Sequence, residues 1–507
     1  MTTSESVPAV TRAAPGGIAV DELVTRKRLR LNRDPSRVIA RLFVPGAHPP
    51  EMNSRAAAVV RRIVALEEDE ARAAYDRTMS GFGTRHRDLE KIFAENFRVV
   101  EHRVPHGTHL SELYKLLIGA HFTHEFAIEG AALTNPSMVE HPDQSGLQPG
   151  ELRFLMSVRA IGEGHLSCVE FRTGIIGPQG QLTVDRPSQY ANIGHLRPAV
   201  YSRAALAEAL RRPNEDDEIL AFLLHHLPEE FTESQLEMLL GELSPQLLVL
   251  ERTFQTLSRV HWFIACQYHV EFAADTDLSE RVLWPTSPTE RHGIEDARFV
   301  RFEEPDGSFT YRATYTAYDG GQSRTQMLQT DDMRCFEMSQ IFGKAVGNKG
   351  LALFPRQLDG QYAALSRWDR ESNALATSHD GRVWPDAREL EVPSHNWDLM
   401  QVGNCGSPVE TEAGWLVLTH GVGPMRVYAL GALLLDLKDP ARVIGSLPEP
   451  LLIASPDERD GYVPNVVYSC GPMKHLDTLV IPYGFGDMGV EFATVPVSGL
   501  LDRLLAS

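Results

Sequence analysis

The sequence predicts a mainly β protein, a five-bladed β-propeller to which helical segments are added. From Glu151 onward, short runs that alternate apolar and polar residues, as half-buried strands do, follow turn dipeptides. The turns that begin at positions 306, 359, 413 and 476 are 53, 54 and 63 residues apart, a spacing that suits one blade per repeat. Five turns introduce such runs: Pro149-Gly150, Asp306-Gly307, Asp359-Gly360, Ala413-Gly414 and Leu476-Asp477.

Helical periodicity predicts two further regions. Apolar residues recur at helical spacing within 56–64 and 89–97, and a further helix is expected from Ser111 to Leu133. The long interval between the first two turns is explained by a helical insertion rich in leucine. The predicted organisation is a disordered tail at 1–20, a helical N-terminal region at 21–130, a first blade at 131–202, the insertion at 203–259, the remaining blades at 260–497 and a C-terminal helix at 498–507.

The sequence allows more than one role for two of its segments. The insertion either covers the functional site or forms an oligomer interface, and we expect a homo-oligomer. The short basic run from Arg26 to Arg30 is interpreted as the solvated face of a helix rather than a nucleic-acid or membrane patch.

Composition excludes several classes of partner. A net charge of −19 on 507 residues opposes binding to nucleic acid, and no run of 18 apolar residues predicts a membrane span. The five cysteines are scattered without a Cys-x-x-Cys pair, which is typical of reduced thiols. Because the N-terminus also lacks the pattern of a signal peptide, we expect a cytoplasmic protein with neither nucleic acid nor membrane as partner.

The chemistry is concentrated in Arg291-His292-Gly293-Ile294-Glu295-Asp296-Ala297-Arg298-Phe299. Glu295, Asp296 and Arg298 stand between a glycine and an alternating, strand-like run that ends at Phe302. A carboxylate at the start of a strand, beside a guanidinium, is where a scaffold can fix a general acid and control its pKa. The alternative interpretation of the same residues is a charged turn.

This stretch and six others resemble, in the same order, the signature segments of glycoside hydrolase family 130, the inverting β-mannoside phosphorylases and related β-mannosidases. The resemblance covers roughly residues 130–200 and 260–495 and implies the five-bladed propeller. The other segments are Tyr315-Thr316-Ala317-Tyr318-Asp319-Gly320, Asn348-Lys349 with Leu353-Phe354-Pro355, Gly406-Ser407-Pro408-Val409-Glu410-Thr411, His420-Gly421-Val422, Leu430-Gly431-Ala432-Leu433-Leu434-Leu435-Asp436-Leu437 and Val463-Pro464-Asn465-Val466-Val467-Tyr468-Ser469-Cys470-Gly471.

The resemblance implies a set of site residues. Asp296 matches the single catalytic acid of an inverting reaction, whose proton reaches the glycosidic oxygen through a hydroxyl of the mannosyl residue. Arg298 would orient Glu295 or lower its pKa, a structural salt bridge being the alternative. Inorganic phosphate would be the nucleophile and co-substrate, bound by Arg324, Lys349 and Arg367. The remaining substrate-binding positions implied are Asn135, Arg159, Glu295, Arg298, Tyr318, Asp319, His420 and Asn465.

One departure from the family keeps a second reaction open. Phosphorylases carry a histidine directly before the arginine of Leu365-Ser366-Arg367, so Ser366 removes a phosphate contact. In hydrolytic relatives a glutamate activates water, and Glu410 is the candidate here. The sequence therefore favours a β-mannoside phosphorylase that acts on manno-oligosaccharides and releases α-mannose 1-phosphate. An inverting β-1,2-mannosidase and a non-catalytic carbohydrate-binding propeller remain alternatives.

Two other patterns receive structural interpretations. His121, His124 and Glu125 have no third ligand group at a recognisable spacing, so they are interpreted as helix-face residues, and neither a metal nor a cofactor is predicted. Trp368, Trp384 and Trp397 are candidates for stacking on sugar rings, although at least one is expected to pack within a blade.

Overall fold

The computed structural model describes residues 23–45, 55–211, 217–244, 246 and 251–506. The protein is mainly β, which confirms the predicted class. The predicted tail at 1–20 lies outside the described residues. None of the helices in these ranges is long and apolar enough to cross a membrane.

The N-terminal elements are β1 (Thr25–Asn32), β2 (Val38–Leu42), α1 (Arg55–Val64), α2 (Glu68–Phe82), α3 (Leu89–Val100), α4 (Glu112–His121) and β3 (Thr123–Ala127).

The apolar spacing of 56–64 forms a helix as predicted. Helix α1 buries Ala56, Val60 and Ile63 on one face, and its neighbour α3 buries Phe93 and Phe97 at the same helical spacing. These faces meet in one apolar cluster with α2 and α4. The cluster gives the N-terminal helices a core of their own.

The prediction of a helix for the basic run was wrong, because Arg26 to Arg30 lies in strand β1. The run alternates charged and leucine residues with a period of two, so Leu29 packs inward while the arginines face outward. Strand β1 pairs antiparallel with the strand at Gly489–Pro496 near the other end of the chain. Arg30 Nε donates to the Glu491 carboxylate there at 2.6 Å.

The helix predicted from Ser111 to Leu133 ends at His121. Strand β3 follows and pairs with β2, so His124 and Glu125 lie on a strand and not on a helix face. Glu125 accepts hydrogen bonds from Arg85 at 2.7 Å and from His86 at 2.8 Å. The three residues of the predicted helix-face group therefore belong to two different elements.

A buried ion network joins the N-terminal segment to the first set of strands. Arg37 is 2% exposed, its guanidinium lies 2.6 Å from Glu170 and 3.0 Å from Glu129, and Arg172 contacts both carboxylates. Arg37 also donates to two backbone carbonyls. Because each charge has opposite partners, the network offsets the cost of removing four charges from water.

Replacement of Arg37 by alanine is expected to lower the free energy of unfolding by about 3 to 5 kcal/mol, because it leaves Glu129 and Glu170 buried with one cation between them. Denaturant titration measures this change. Arg28→Ala, at an exposed position of β1, is the control and should stay within about 0.5 kcal/mol of the parent. Equal unfolding midpoints for both variants would contradict the assigned role of the network.

The strands that follow form five antiparallel sets. The first two sets are joined in one larger sheet through a parallel pairing of Gly293 with Ser167. The first set is β4 (Ala132–Glu140), β5 (Leu152–Ile161), β6 (Ser167–Ile176) and β7 (Leu182–Val184). Along the chain, the elements that separate the first set from the second are β8 (His195–Arg197), β9 (Val200–Ser202), α5 (Arg203–Leu210), α6 (Glu218–His226), β10 (Glu230–Thr232), α7 (Glu233–Gly241), α8 (Glu251–Ala265), β11 (Tyr268–Glu271) and β12 (Val282–Leu283).

The other four sets follow along the chain, and the last three of them include the runs whose alternation predicted strands. The second set is β13 (Gly293–Glu303), β14 (Phe309–Tyr318), β15 (Ser323–Thr330) and β16 (Cys335–Gln340), and the third is β17 (Ala352–Leu353), β18 (Tyr362–Ser366), β19 (Asn373–Ser378) and β20 (Ala387–Glu391). The fourth is β21 (Gln401–Asn404), β22 (Val409–Glu410), β23 (Trp415–Val422), β24 (Tyr428–Leu435), β25 (Val443–Ser446) and β26 (Leu452–Ile453). The fifth is β27 (Val467–Tyr468), β28 (Met473–His475), β29 (Thr478–Phe485) and β30 (Gly489–Pro496), followed by α9 (Val497–Leu505).

Strand β1 completes the fifth set, which has the order β1, β30, β29, β27. The first and last parts of the described chain are thereby held in one sheet. Helices α5 to α8 pack on their own apolar cluster, which includes Leu206, Leu223, Leu236 and Phe263. Their spacing agrees with the helical pattern predicted for this part of the sequence.

Candidate active site

Two bulged strands bring an amide and a carboxylate together. The ladder between β13 and β14 skips between Glu295 and Arg298, and the ladder between β4 and β5 skips between Thr134 and Ser137. Asp296 and Asn135 lie in these bulges with φ of 54° and 50°. A bulge re-aims a side chain, and Asn135 Nδ2 donates to Asp296 Oδ1. Left-handed backbone at a non-glycine residue is uncommon and concentrates at functional sites.

Asp296 is 4% exposed and surrounded by cations. Arg159 Nη1 lies 3.5 Å from Oδ1, and Lys349 Nζ lies 4.0 Å from Oδ2. Burial raises the pKa of Asp296, but Lys349, Arg159 and Arg298, together with the Asn135 amide, lower the pKa more and leave it at about 2. The carboxylate of the unliganded protein is therefore ionised at neutral pH.

The partner of Glu295 is Arg159 and not Arg298. Arg159 Nη2 donates to Glu295 Oε1 at 2.6 Å, whereas Arg298 donates to the backbone oxygen of Asp296 at 3.2 Å and to the Tyr468 hydroxyl at 2.7 Å. The sequence therefore paired Glu295 with the wrong arginine. Burial raises the pKa of Glu295 and Arg159 opposes that rise. The pKa of Glu295 is thus raised, whereas the pKa of the adjacent Asp296 is lowered.

A cavity of about 590 Å³ adjoins Asp296 through Lys349, which lines its wall. Arg367 and Arg370 line the same cavity, and the residues around it include no carboxylate. In the described chain the buried Nε of Arg367 has no hydrogen-bond partner. Three cations and a spare guanidinium donor are the groups that bind an anion with several oxygens. The other residues lining the cavity are Gly321, Gln322, Ser323, Gly347, Asn348 and Gln401.

His420 supports one of these cations. Arg367 Nη1 lies 3.0 Å from His420 Nε2, and since a guanidinium only donates, this ring nitrogen accepts. Burial, then the charges of Arg367 and Arg298, hold the pKa of His420 well below its usual range, so the ring is neutral. A Cβ at Gly403 would lie 2.5 Å from the His420 ring and 3.0 Å from Arg367, which explains the glycine.

Ser366 does not reach the cavity. Its side chain is fully buried and donates to the backbone oxygen of Ala345 at 2.6 Å. A strand alternates its side chains between two faces, so Ser366 points away from the side on which Arg367 lies. Ser366 therefore makes no contact with this cavity, so the loss of a phosphate contact at this position stays a prediction, and Arg370 supplies a cation that the sequence did not indicate.

Glu410 lies outside this cluster. It pairs with Trp415 at one end of the strand pair of the fourth set, while His420 lies five residues further along β23. At about 3.3 Å per residue, that separation is roughly 16 Å. The Glu410 carboxylate forms a two-point ion pair with Arg356 at 2.8 and 3.0 Å on the surface. Glu410 therefore lies outside the cationic cavity and its carboxylate is occupied by Arg356, so the predicted role of Glu410 in activating water stays a prediction.

The other predicted binding residues shape the surrounding loops. Asp319 accepts from the backbone of Gly321 and Gln322 and so closes the β14–β15 turn, beside Tyr318. Arg324 donates to Gln322 at 2.8 Å and lines a neighbouring cavity rather than the one that contains Lys349. Asn465, with φ of 60°, accepts from Arg459 at 3.2 Å in the loop before β27.

The three candidate tryptophans have packing contacts. Trp384 is fully buried in an apolar cluster of the third set, as expected for at least one of them. Trp397 packs against Gly421 and donates to the Pro448 backbone at 3.1 Å. The Lys344 ammonium lies over the Trp368 ring, 4.5 Å from the ring centroid. None of the three lines the cavity beside Asp296.

Two further residues belong to the site although the sequence analysis missed them. Asp487 accepts from Thr134 at 3.4 Å, and burial raises its pKa, with Arg159 opposing the rise and Asp296 adding to it. Its φ is 49°, as in the other left-handed site residues. The second is Tyr468, which receives the Arg298 hydrogen bond. Tyr468 stands inside a family segment, whereas no signal in the sequence singles out Asp487.

The second half of the chain matches a known family of enzymes. Residues 258–505 match the model of glycoside hydrolase family 130, described as beta-1,4-mannooligosaccharide phosphorylase. A 1,2-beta-oligomannan phosphorylase of Thermoanaerobacter sp. (strain X514) is 34% identical over 241 residues, 44% of this chain and 75% of the relative. A beta-1,2-mannobiose phosphorylase of the same strain is 34% identical over 212 residues, 41% of this chain and 68% of the relative.

Solved structures of related proteins align less closely. The beta-1,2-mannobiose phosphorylase from Listeria innocua shares 21% identity, with 75% of this chain and 94% of that chain covered and a TM-score of 0.43. The sequence relatives define the class of protein, an enzyme that acts on glycosides. The chain belongs to glycoside hydrolase family 130, as its signature segments predicted. The predicted resemblance of residues 130–200 lies outside the match to the family model.

Proposed function

We propose that the protein is an inverting β-mannoside phosphorylase that cleaves manno-oligosaccharides with inorganic phosphate and releases α-mannose 1-phosphate. The observation that carries the proposal is the cavity lined by Lys349, Arg367 and Arg370, whose Lys349 ammonium lies 4.0 Å from the Asp296 carboxylate. In a chain with a net charge of −19, a cavity whose charged lining residues are all cations selects an anionic ligand. The names of the relatives, which are phosphorylases of mannosides, support the same reaction.

The proposed reaction needs one proton and one nucleophile. A phosphate oxygen attacks C1 of the mannosyl residue on one face, the glycosidic C–O bond breaks on the other, and the Asp296 proton passes to the departing oxygen. Phosphate takes the place of the second carboxylate that inverting hydrolysis requires. Attack on the opposite face converts a β-linkage into an α-phosphate.

The electrostatics link the two substrates. Because the pKa of Asp296 is about 2 in the free protein, the carboxyl is not a proton donor there at neutral pH. A bound phosphate dianion offsets the positive charge of Lys349 and its neighbours and so raises the pKa of Asp296. We infer that phosphate binding moves Asp296 toward the protonated form that the reaction uses, which makes the acid effective only when the nucleophile is present.

Hydrolysis has less support. A water nucleophile needs a carboxylate to activate it, and Glu410 is bound to Arg356 at the far end of its strand pair. A neutral water also makes no use of the three cations, whose confinement to one cavity is left unexplained in a mannosidase. The same cations argue against a protein that only binds neutral saccharide.

The propeller arrangement of the strands and the cytoplasmic location are further parts of the proposal. We infer that the five antiparallel sets are the blades of a propeller, with the site where Asn135, Asp296 and Lys349 converge from three different parts of the chain. Their convergence supports this arrangement, since a propeller gathers residues from successive blades at one end of its axis. The five cysteines are free thiols, which favours a reducing compartment, the cytoplasm.

Incubation of the purified protein with β-1,2-mannobiose or β-1,4-mannobiose, with and without phosphate, tests the proposal. We expect α-mannose 1-phosphate by mass spectrometry and phosphorus NMR, and a cleavage rate that rises with phosphate until it saturates. Equal rates in both tubes, with only free mannose formed, would show a mannosidase. Saturable binding of the saccharides without any product would show a binding protein.

A further inference from the structure

We propose that Tyr462 and His165, two stacked rings at the edge of the site, form a platform that binds the leaving-group sugars of the manno-oligosaccharide. This inference rests on the proposed inverting phosphorolysis and names the residues that recognise the departing part of its substrate. Tyr462 lies in the loop before β27, in the fifth set, and His165 lies in the turn between β5 and β6, in the first set. The platform therefore joins two of the five sets.

The two rings form an exposed pair whose geometry is fixed. Their centroids are 5.5 Å apart with an angle of 27° between the ring planes, and the Tyr462 hydroxyl lies 3.3 Å from His165 Nδ1. Tyr462 is nevertheless 60% exposed, and His165 is exposed as well. Because the rings already order each other, they lose little conformational entropy when a ligand covers them, which suits a binding surface.

Contacts between neighbouring sets of strands place this platform across the site from the cationic cavity. Each set touches the next, and the fifth touches the first, through the pairing of Gly293 with Ser167 and through backbone hydrogen bonds from Glu303 to Pro355, Val402 to Glu371, Tyr428 to Asn465 and Met138 to Gly471. The cavity cations Lys349, Arg367 and Arg370 belong to the third set and the loop that enters it. In a closed ring of five, the first and fifth sets lie opposite the third.

The two oxygens of Asp296 face the same two sides. Oδ2 lies 4.0 Å from Lys349, which lines the cationic cavity, whereas Oδ1 accepts from Asn135 and faces Arg159. Asn135 and Arg159 lie on β4 and β5 of the first set, the set that carries His165. The platform is therefore on the Oδ1 side of the acid, and the cations proposed to bind phosphate are on the Oδ2 side.

A short chain of contacts joins the platform to the acid. The loop of Tyr462 donates a backbone hydrogen bond of 3.0 Å to the β29–β30 turn, which carries Asp487. Asp487 accepts from Thr134 at 3.4 Å, and Thr134 adjoins Asn135, whose amide donates to Asp296. A saccharide that reacts at Asp296 can thus extend along these groups to Tyr462.

Inversion requires this separation of phosphate and leaving group. The attacking and departing oxygens occupy opposite faces of the reacting carbon, and the acid serves the departing one. Phosphate bound by the third set therefore directs the leaving-group sugars toward the first and fifth sets. A pyranose stacks the apolar face of its C–H groups on an aromatic ring, and its hydroxyls bond to groups at the ring edge. Here those groups are the Tyr462 hydroxyl and Nε2 of His165, which has no hydrogen-bond partner among the described residues.

Calorimetry with the Asp296→Asn protein, which lacks the proton that the reaction uses, tests the platform by binding alone. The probes are methyl β-mannoside, which has no leaving-group sugar, and the mannobioses and mannotrioses with β-1,2 and β-1,4 linkages. Adding Tyr462→Ala should weaken binding of the mannotriose of the preferred linkage about tenfold, as for loss of one aromatic anchor, and change binding of methyl β-mannoside by less than about twofold. Tyr462→Phe should keep most of the affinity, because the ring remains.

The control is Phe309→Ala, because Phe309 is also an exposed aromatic ring packed against a side chain, but lies at the opposite end of β14 from Tyr318. It should change neither affinity. Equal effects of Tyr462→Ala on methyl β-mannoside and mannotriose, or none on either, would overturn the platform, as would a protein that binds no saccharide.

The platform and the proposed reaction fail separately. Phosphate-dependent cleavage of mannotriose whose KM is unchanged by Tyr462→Ala in the parent protein would reject the platform and keep phosphorolysis. Mannotriose binding that depends on Tyr462, in a protein whose cleavage ignores phosphate, would support the platform and reject phosphorolysis.

Discussion

Replacement of Asp296 by asparagine is expected to abolish turnover, by at least about a thousandfold in kcat, while the protein still folds and binds saccharide. The substitution removes the transferable proton and little volume, and general acid catalysis contributes roughly 100- to 10,000-fold. Asparagine also tolerates the left-handed backbone of this position, where φ is 54°. Product formation from an unactivated mannoside, measured by mass spectrometry, gives the loss.

The fold should survive because the electrostatic contribution of Asp296 is modest. Its pKa is lowered to about 2, so its ionised form stabilises the protein above the ordinary pKa of an aspartate, and this contribution is lost as pH falls toward 2. The shift corresponds to on the order of 2 kcal/mol, less than the 5 to 15 kcal/mol of a typical domain. Calorimetric binding of mannobiose with an unchanged far-UV spectrum checks that the Asp296→Asn protein is folded.

Glu410→Gln is the matched control, since it neutralises a carboxylate of the same family segments that is exposed and paired with Arg356. We expect its rate to stay within about twofold of the parent, as is usual for a change at a surface ion pair. A large loss with Glu410→Gln and none with Asp296→Asn would exchange the two roles and point to hydrolysis.

Lys349→Ala is expected to raise the apparent KM for phosphate by about 10- to 100-fold, with saccharide affinity changed much less. The lysine lines the cationic cavity, and a hydrogen bond to a charged group contributes roughly 1.5 to 3 kcal/mol. Its Nζ also lies 4.0 Å from Asp296, so its removal should raise the pKa of that carboxyl from about 2. Phosphate titrations of the rate and a carbon NMR titration of the Asp296 carboxyl measure the two effects.

The control for that variant is Arg388→Ala, at an exposed position of β20 in the third set, which also carries Arg367. It removes the same charge away from the cavity and should leave the phosphate KM unchanged. A phosphate KM unaffected by Lys349→Ala would mean that the cavity does not hold the nucleophile.

The strands were predictable where short apolar runs follow turn residues. Runs such as Trp415 to His420 and Thr478 to Tyr483 were predicted as strands, and both form strands that are buried along almost their whole length, so that both faces pack against protein. The period of two in Arg26 to Arg30 yields strand β1, but the density of charge favoured a solvated helix face. The charge pattern does not show that the carboxylates that pair with these arginines, such as Glu491, come from the other end of the chain.

Some residues of the site were predictable from the sequence and others were not. Lys349 and Arg367 were identified from family segments and lie in one cavity. Arg370 is three residues beyond that segment, and its place in the cavity follows from the turn after β18, where its φ is 76°. Trp368, Trp384 and Trp397, which were chosen from the sequence as candidates for stacking on sugar rings, pack against protein groups instead.

The sequence by itself determined the class of the protein and the residues that form most strands and helices, and it predicted Asp296 as the acid, because these depend on local periodicity and on short segments that resemble a family. Only the tertiary structure decided which charges are partners. Asn135 and Asp296 are 161 residues apart and Arg159 and Glu295 are 136 apart, and each pair forms because separate strands pack side by side. A pairing energy falls off within a few ångströms, whereas distance along the chain carries no information about it. For that reason Arg159 rather than Arg298 holds Glu295, and Glu410, although it stands in a family segment, is paired with Arg356.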